Sequence, residues 1–176
     1  MNREIIFRAK CAGLWRYGSY VHFDKKPIHE CYNTKYRDFI VVNGVGGEHH
    51  LPITELSTIG QCTGLKDKNG KDIYEGDIIR VSEYENILTK EFSDDPSRFD
   101  MFTLDEIKGD LQQSYTSPVT WEEGTFCIST NGDWLHHNDM FLAVLFGDMK
   151  RSSPIFDFEV IGNIHDNPEL LKQQRQ

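Results

Sequence analysis

Residues 60–81, GQCTGLKDKNGKDIYEGDIIRV, bring four acidic side chains close together in the chain: Asp67, Asp72, Glu75 and Asp77. Carboxylate oxygens in such a cluster could bind a hard cation. The segment lacks the DxDxDG order of a calcium-binding loop, however. Asp67 and Asp72 also flank a predicted turn, where we expect their side chains to point to water. The sequence therefore predicts no metal site.

The glycines of the same segment could instead cradle a phosphate group. A dinucleotide fingerprint needs GxGxxG between a strand and a helix, and this glycine spacing does not match it. The chain also contains no GxxxxGK[ST] sequence. No nucleotide or other cofactor is predicted.

Two pairs of adjacent histidines, His49-His50 and His136-His137, are a second group of candidate metal ligands. Neighbouring residues of a strand face opposite ways, so such a pair cannot chelate one ion by itself. In a loop a pair would still need a further ligand from elsewhere in the chain. We interpret all four as surface loop residues.

Nucleophilic catalysis needs a base beside a serine or cysteine. His165 and Asp166 are adjacent, but no such nucleophile stands beside them in the sequence. The four cysteines are far apart and form no CxxC pair: Cys11, Cys31, Cys62 and Cys127. We expect reduced thiols that pack as small apolar residues, and no acyl-transfer site.

Glu75 and the tryptophans are the remaining candidates. We expect Glu75 to accept hydrogen bonds from backbone amides at the bend before Gly76-Asp77, which is a structural role. Trp15, Trp121 and Trp134 could form an exposed recognition surface, but tryptophan in a small β-domain is usually core. The predicted set of catalytic, cofactor-binding and metal-binding residues is therefore empty, and we expect a protein without enzymatic activity.

The composition is that of an ordinary soluble domain, with 38% hydrophobic and 27% charged residues in 176. No apolar run approaches the roughly 20 residues that a membrane-spanning helix needs. The first ten residues, MNREIIFRAK, do not resemble a signal peptide. We expect a cytoplasmic protein that does not associate with membranes.

The net charge of −9 is unevenly distributed. Residues 1–60 carry eight Lys/Arg against six Asp/Glu, whereas residues 81–117 carry three against nine. Nucleic-acid-binding proteins usually have a basic patch. The group of residues most similar to a basic patch is Lys25, Lys26, Lys35 and Arg37, which we interpret as a solvated face.

The N-terminal pattern predicts short antiparallel strands. Alternation along residues 5–19, with Gly13 in the middle, indicates a hairpin. Residues 39–42, FIVV, predict another strand, which ends at the turn-rich NGVGG. Asn69-Gly70 predicts a two-residue type I′ hairpin turn, since both central residues of that turn need positive φ. Gly64, Gly70 and Gly76 predict three points at which a short-stranded sheet turns.

Residues 83–117 predict an acidic, partly helical insertion. Asp95-Pro96 and Thr103–Glu106 are typical of helix starts. The β-pattern returns at residues 118–130, PVTWEEGTFCIST, with a hairpin at Glu123-Gly124. Residues 141–146, FLAVLF, are compatible with either a buried strand or a short helix.

The end of the chain predicts a last strand and a short helix. Residues 156–164, FDFEVIGNI, close the core as a strand, and Asn167-Pro168 begins the helix.

Four segments together resemble the YopX family of bacteriophage and prophage proteins. They are FRAK…WRYGSYV, IGQCTGLKDKNGKDIYEGDIIRV, VTWEEGTFCI and FEVIGNIHDNPELL. The resemblance spans nearly the whole chain, with residues 83–117 as its variable part. The family pattern usually has tyrosine at the position of Cys62 and tyrosine or a similar residue near His165. It implies a mainly β protein of uncharacterised function in the bacterial cytoplasm, and it supplies no catalytic residues.

We therefore expect a mainly β (α+β) fold: a small β-barrel-like core of short antiparallel strands, with the insertion at 83–117 and a short C-terminal helix. An N-terminal β lobe of residues 1–60 and a C-terminal β lobe of residues 61–176 would form one folded unit. Whether the two lobes share a core is left open by the sequence.

Three hypotheses about function remain. The first is a non-enzymatic protein-binding or assembly module whose partner is a host or phage protein, with self-association as a further option. The second is a nucleic-acid-associated small β protein, against which the net charge of −9 counts. The third is that the acidic segment 83–117 mimics DNA and inhibits a host protein.

Overall fold

The computed structural model describes residues 5–24, 36–86, 108–122, 124–129, 139–141 and 155–172. These residues form eleven β-strands and one short 3₁₀ helix. The chain divides into two compact units, Met1–Leu65 and Lys66–Gln176. The sequence had suggested a boundary after residue 60.

The first unit is an antiparallel sheet with the strand order β4-β3-β2-β1-β5. Its strands are β1 (Phe7–Cys11), β2 (Leu14–His22), β3 (Asp38–Gly44), β4 (Gly47–Pro52) and β5 (Glu55–Lys66). The predicted hairpin of residues 5–19 is confirmed as β1 and β2. Its turn is Ala12-Gly13, and both residues have positive φ, which matches the right-handed twist of the flanking strands.

One face of this sheet carries the core of the first unit. Ala9, Cys11, Ile40 and Ile53 are buried there. Partly buried apolar residues pack around them: Phe7, Tyr20, Val42, Leu51 and Ile59. Alternate residues of a strand share a face, so β1 contributes Phe7, Ala9 and Cys11 to the same side. The alternation seen in the sequence is thus the pattern that builds this core.

The second unit is an antiparallel sheet with the strand order β10-β9-β8-β7-β11. Its strands are β7 (Asp77–Asn86), β8 (Lys108–Glu122), β9 (Thr125–Ser129), β10 (Asp139–Phe141) and β11 (Ile155–Asn163). The three-residue strand β6 (Asp72–Tyr74) precedes β7. Buried apolar side chains from several strands form the core: Ile73, Tyr74, Ile78, Ile79, Val81, Val119, Cys127, Ile128 and Phe158. The predicted hairpin at Glu123-Gly124 is confirmed, because Glu122 pairs with Thr125 across it.

One feature of the predicted architecture is wrong, and a second is wrong at its two ends. Within the described residues both sheets are open, with different strands at their two ends, so the expected barrel-like closure is not present. In the expected helical insertion 83–117, residues 83–86 and 108–117 are strand and pair with each other. The remainder of that prediction, 87–107, lies outside the described residues, as do most of 141–146.

The predicted C-terminal helix is reduced to one turn of 3₁₀ helix, Pro168–Leu171. Proline stands at its first position, as the sequence suggested. Residues 173–176, which the sequence assigned to the same helix, lie outside the described residues.

A polar cluster ties β2 to β3 at the edge of the first unit's core. The Tyr20 hydroxyl donates a hydrogen bond to Asp38 Oδ1 at 2.7 Å, and His22 Nδ1 lies 2.8 Å from the same oxygen. The hydrogen bond to Asp38, together with burial and the charge of that carboxylate, raises the pKa of Tyr20 to about 12. Burial alone would raise the pKa of Asp38, but the hydrogen bonds from Tyr20 and His22 and nearby positive charge keep it below its ordinary value.

Tyr20 should therefore ionise late in an alkaline titration. We expect the tyrosinate absorbance of the folded protein to contain a component with a pKa of about 12 that Tyr20→Phe removes. Asp38→Asn should move that component towards the ordinary value of about 10, because the acceptor loses its charge. Tyr115, whose pKa burial also raises to about 12, supplies the control. Tyr115→Phe should remove a second component and leave that of Tyr20, and a Tyr20→Phe titration equal to wild type would contradict the assignment.

Candidate functional site

The charged turn of the opening segment is a three-residue hairpin loop. Asp67 N donates to Lys71 O at 2.8 Å, and Gly70 N donates to Asp67 O at 2.9 Å. Gly70 has φ +80°, whereas Asn69 is not among the described residues with positive φ. The predicted type I′ turn is therefore wrong. The loop has the form of a type I turn followed by a left-handed glycine, which adds one residue to the connection.

Asp67 is the first residue of this turn, and its side chain is buried. Only 6% of the residue is exposed, so the expectation that it points to water is wrong. Its Oδ1 accepts hydrogen bonds from Asn69 N at 2.8 Å and Lys71 N at 2.9 Å. Its Oδ2 accepts one from Val160 N, in β11, at 3.0 Å. The carboxylate therefore both shapes the turn and attaches it to the last strand.

These bonds also control the protonation of Asp67. Burial by itself raises the pKa of a carboxyl group, because it disfavours the charged form. The hydrogen bonds from the amides of Val160, Lys71 and Asn69 favour that form and outweigh burial, so the pKa of Asp67 lies below its ordinary value. Asp67 is a permanently charged acceptor at neutral pH.

A second set of contacts joins the turn to β11. Lys68 N donates to Phe158 O at 2.9 Å, and Lys68 Nζ lies 2.9 Å from Glu159 Oε2. The same Glu159 oxygen is 3.2 Å from Arg80 Nη1, on the neighbouring strand β7. The hydrogen bond with Lys68 and the two positive charges lower the pKa of Glu159. Asp72, at the far side of the turn, is exposed and pairs with Lys66 at 2.6 Å.

The bend at Gly76 joins the segment 60–81 to two other segments of the chain. Asp77 is buried, and its Oδ2 accepts a hydrogen bond from Tyr74 N at 2.9 Å. Gly76 N donates to Val119 O, and Gly76 O accepts from Ile164 N, each at 2.9 Å. The carboxylate that accepts a backbone bond at this bend is thus that of Asp77. For Glu75, which is half-buried, the proposed structural role stays a prediction.

Close packing fixes the connection after β11. A Cβ on Gly162 would lie 2.8 Å from Asn167 Oδ1 and 2.9 Å from Leu170 Cδ1, so only glycine fits without a shift. Asn163 Oδ1 accepts hydrogen bonds from the amides of His165 at 3.0 Å and Asp166 at 2.9 Å. The segment GNIHDNPELL therefore folds back on the end of its own strand, and His165 and Asp166 stand in a turn formed by Asn163.

The other candidate residues lie apart from this site. Among the described residues, no group of three or more His, Cys, Asp and Glu side chains could hold a metal ion. His49 and His50 are neighbours on β4 and so face opposite ways, whereas His136 and His137 lie outside the described residues.

The cysteines and tryptophans are divided between core and surface. Cys11 and Cys127 are buried free thiols and Cys62 is a partly buried one, as predicted, while Cys31 lies outside the described residues. Trp15 is half-buried, with the Arg8 guanidinium carbon 4.8 Å from its ring centroid.

Trp121 does not fit the expected core position. It is 48% exposed and packs edge-to-face on Phe126, its partner across the β8–β9 hairpin, at a centroid distance of 4.6 Å. Trp134 lies outside the described residues, as do Lys25, Lys26 and Lys35.

A comparison with protein families confirms the resemblance seen in the sequence. The YopX protein family matches residues 7–172. The chain belongs to the YopX family. No curated protein matches this YopX-family chain. A solved structure, the crystal structure of protein EF1440 from Enterococcus faecalis, has 22% sequence identity, covers 97% of this chain and 99% of its own, and has a TM-score of 0.40.

The geometry shows a structural role for the segments that carry the YopX resemblance. Asp67, Gly76, Asp77, Gly162 and Asn163 all make contacts within the fold of the second unit. Sequence reasoning identified the segments but missed that Asp67 and Asp77 are buried acceptors of backbone hydrogen bonds, because burial is not visible in the local sequence. Among the described residues, no helix has the length and apolar character needed to cross a bilayer.

Replacing Asp67 should destabilise the YopX-family protein in a pH-dependent way. We expect Asp67→Asn to lower the free energy of unfolding at pH 7 by about 1–3 kcal/mol, because charge-assisted bonds to backbone amides are lost. The folded-state pKa lies below the unfolded value of about 3.9. The wild-type advantage is therefore complete above that value and disappears as the pH falls through the folded-state pKa. Urea unfolding from pH 7 to pH 3 measures it.

Asp72→Asn is the matched control for that series. Asp72 follows the same turn, but its side chain is exposed and pairs with the exposed side chain of Lys66. We expect a change within about 0.5 kcal/mol, as for most surface substitutions. Equal losses for the two variants, or a loss for Asp67→Asn that does not become smaller as the pH falls from 7 to 3, would contradict the role given to Asp67.

Gly162→Ala should destabilise the protein through steric overlap alone. We expect a loss of about 1–3 kcal/mol, since the neighbouring side chains must move away from the new methyl group. Leu170→Ala removes one of the atoms that would overlap it. The double variant should therefore recover part of the loss, as a coupling of about 0.5–3 kcal/mol in a double-mutant cycle. Strict additivity would show that Gly162 and Leu170 are not in contact.

Proposed function

We propose that this YopX-family protein is a non-enzymatic protein-binding module whose partner is a host or phage protein. The observation that supports the proposal most directly is a bulge in β5 of the first unit. Between Arg8↔Gly60 and Lys10↔Glu55 the register shifts, so residues 56–59 lie opposite the single residue Ala9. Bulges of this kind re-aim side chains and are frequent beside functional sites.

Threonine hydroxyls hold the bulge in one conformation. Thr58 Oγ1 accepts a hydrogen bond from Lys10 N at 2.9 Å and donates one to Glu55 O at 2.6 Å. Thr54 Oγ1 lies 3.1 Å from both Lys10 O and Ala12 N. Because the backbone is already ordered, binding at the bulge would cost little conformational entropy.

The bulge presents a large apolar side chain to solvent. Leu56 is 57% exposed, and Leu14 and Tyr17 of the same unit are 57% and 51% exposed. Aromatic and aliphatic side chains on an ordered backbone are typical anchors of protein interfaces. The signature carboxylates, by contrast, are engaged in the fold, which leaves the apolar surface as the best-supported contact region.

Affinity capture with tagged protein from lysates of prophage-induced bacteria tests this function. We expect one protein to be recovered in stoichiometric amount, with or without nuclease. Leu56→Ser should reduce its recovery about tenfold or more, the loss typical of a hot-spot residue. Ser57→Ala, at the next position of the bulge, which is also exposed, should leave recovery unchanged.

Two outcomes would oppose the proposal. Equal capture by wild type and Leu56→Ser would exclude the bulge as the contact. Absence of any captured protein, together with a monomeric state, would remove the support for a binding module.

The nucleic-acid hypothesis also has one observation in its favour. Arg8 and Lys10 lie over the ring of Trp15, at 4.8 and 5.6 Å from its centroid, and Tyr17 follows two residues later on β2. Aromatic side chains next to cations can stack with the bases of single strands. Residues 61–176, with eleven Lys/Arg against twenty-two Asp/Glu, count against it. Capture that disappears with nuclease and weakens steeply with salt would favour this alternative.

The DNA-mimic hypothesis stays a third alternative. Most of segment 83–117 lies outside the described residues, and its net acidity is its only support. Inhibition of a DNA-binding host protein that survives deletion of the segment would refute it.

A further inference from the structure

β11 is an edge strand whose outer side is covered by the turn, and this has a consequence for self-association. Within the described part of the chain, β11 pairs with β7 on one side only. Backbone groups of alternate residues point the same way along a strand, so those of Phe156, Phe158 and Val160 point outward. An uncovered row of such groups is a template for pairing with another chain.

The turn 67–71 bonds to the middle of this edge in the way that a neighbouring strand would. Lys68 N donates to Phe158 O, as the amide of a neighbouring strand would. Asp67 Oδ2 accepts from Val160 N in the place of a strand carbonyl. Lys68 Nζ also neutralises Glu159 on the same strand. Two hydrogen bonds and one ion pair thus cover part of this edge, which in an interior strand would be covered by a ladder of hydrogen bonds.

We propose that the turn 67–71 is a removable cover, and that β11 without it pairs with β11 of a second copy of this chain. Antiparallel edges are self-complementary, because a two-fold axis lets the same residues face each other. If the two-fold axis passes beside Phe158, the outward N–H and C=O of Phe158 would bond to the same groups of Phe158 in the second copy. The outward groups of Phe156 would bond to those of Val160 in the second copy.

Charge does not prevent this pairing. With the axis at Phe158, Asp157 of one copy stands opposite Glu159 of the other, and like charges directly opposite oppose pairing. Both carboxylates, however, already have cations from neighbouring strands. Lys108 Nζ lies 2.9 Å from Asp157 Oδ2, and Arg80 Nη1 lies 3.2 Å from Glu159 Oε2. The residual repulsion is screened by salt, so self-association should strengthen as the salt concentration rises.

A pair of substitutions at Lys68 separates the backbone bond from the charge. Lys68→Pro deletes the amide that bonds to Phe158 O, at a turn position that favours proline. Lys68→Ala keeps that amide and removes the same ammonium group. By light scattering coupled to size-exclusion chromatography, Lys68→Pro should raise the dimer fraction above that of Lys68→Ala at equal concentration, and more so at high salt. Equal dimer fractions for the two variants would overturn the proposal.

Two further comparisons identify the surface. Asp67→Ala should self-associate more than Asp72→Ala, because only Asp67 bonds to β11. Phe156→Pro, added to Lys68→Pro, removes an outward amide that the cover does not use and should restore the lower dimer fraction. Dimers of Lys68→Pro that persist with Phe156→Pro would show that another surface is responsible. If Lys68→Pro does not fold by circular dichroism, the comparison of Asp67→Ala with Asp72→Ala decides.

Discussion

One buried carboxylate, that of Asp67, connects the most patterned segment of the chain to its last strand. Its two oxygens accept bonds from Asn69 and Lys71 of its own turn and from Val160, 93 residues later in the sequence. That contact sets the turn against β11, where Lys68 reaches Glu159 and Glu159 reaches Arg80 on β7. One buried anion therefore holds the turn on β11, beside the ion pairs of Glu159.

The elements that could be predicted from the sequence are those specified by neighbouring residues. The hairpins β1–β2 and β8–β9 follow from alternation around a short turn, and β11 follows from its apolar run. The turn type at Asn69-Gly70 was wrong because dipeptide preference competes with the Asp67 side chain, which bonds the amides of Asn69 and Lys71 and favours a longer loop. Gly64, expected at a turn, lies inside β5 with φ +78°.

The features that bear on function could not be predicted, since they arise from residues distant in the chain. Nothing in the local sequence shows that Asp67 is buried, because the amide that makes burial tolerable belongs to Val160. The bulge around Leu56 likewise depends on Thr58 meeting Lys10, 48 residues earlier. The same limit applies to residues 108–117, which the sequence placed in a partly helical insertion and which pair as a strand with β7.

The separation of Asp67 and Val160 in the sequence also has a consequence for biosynthesis. At about 5–20 residues per second, a ribosome adds the 93 residues that separate them in roughly 5–20 s. Until β11 is synthesised, the edge of β7 that pairs with it is open, and the Asp67 turn lacks the strand to which it bonds. Transiently exposed strand edges make a chain prone to aggregate. Synthesis of β11 therefore covers one such edge.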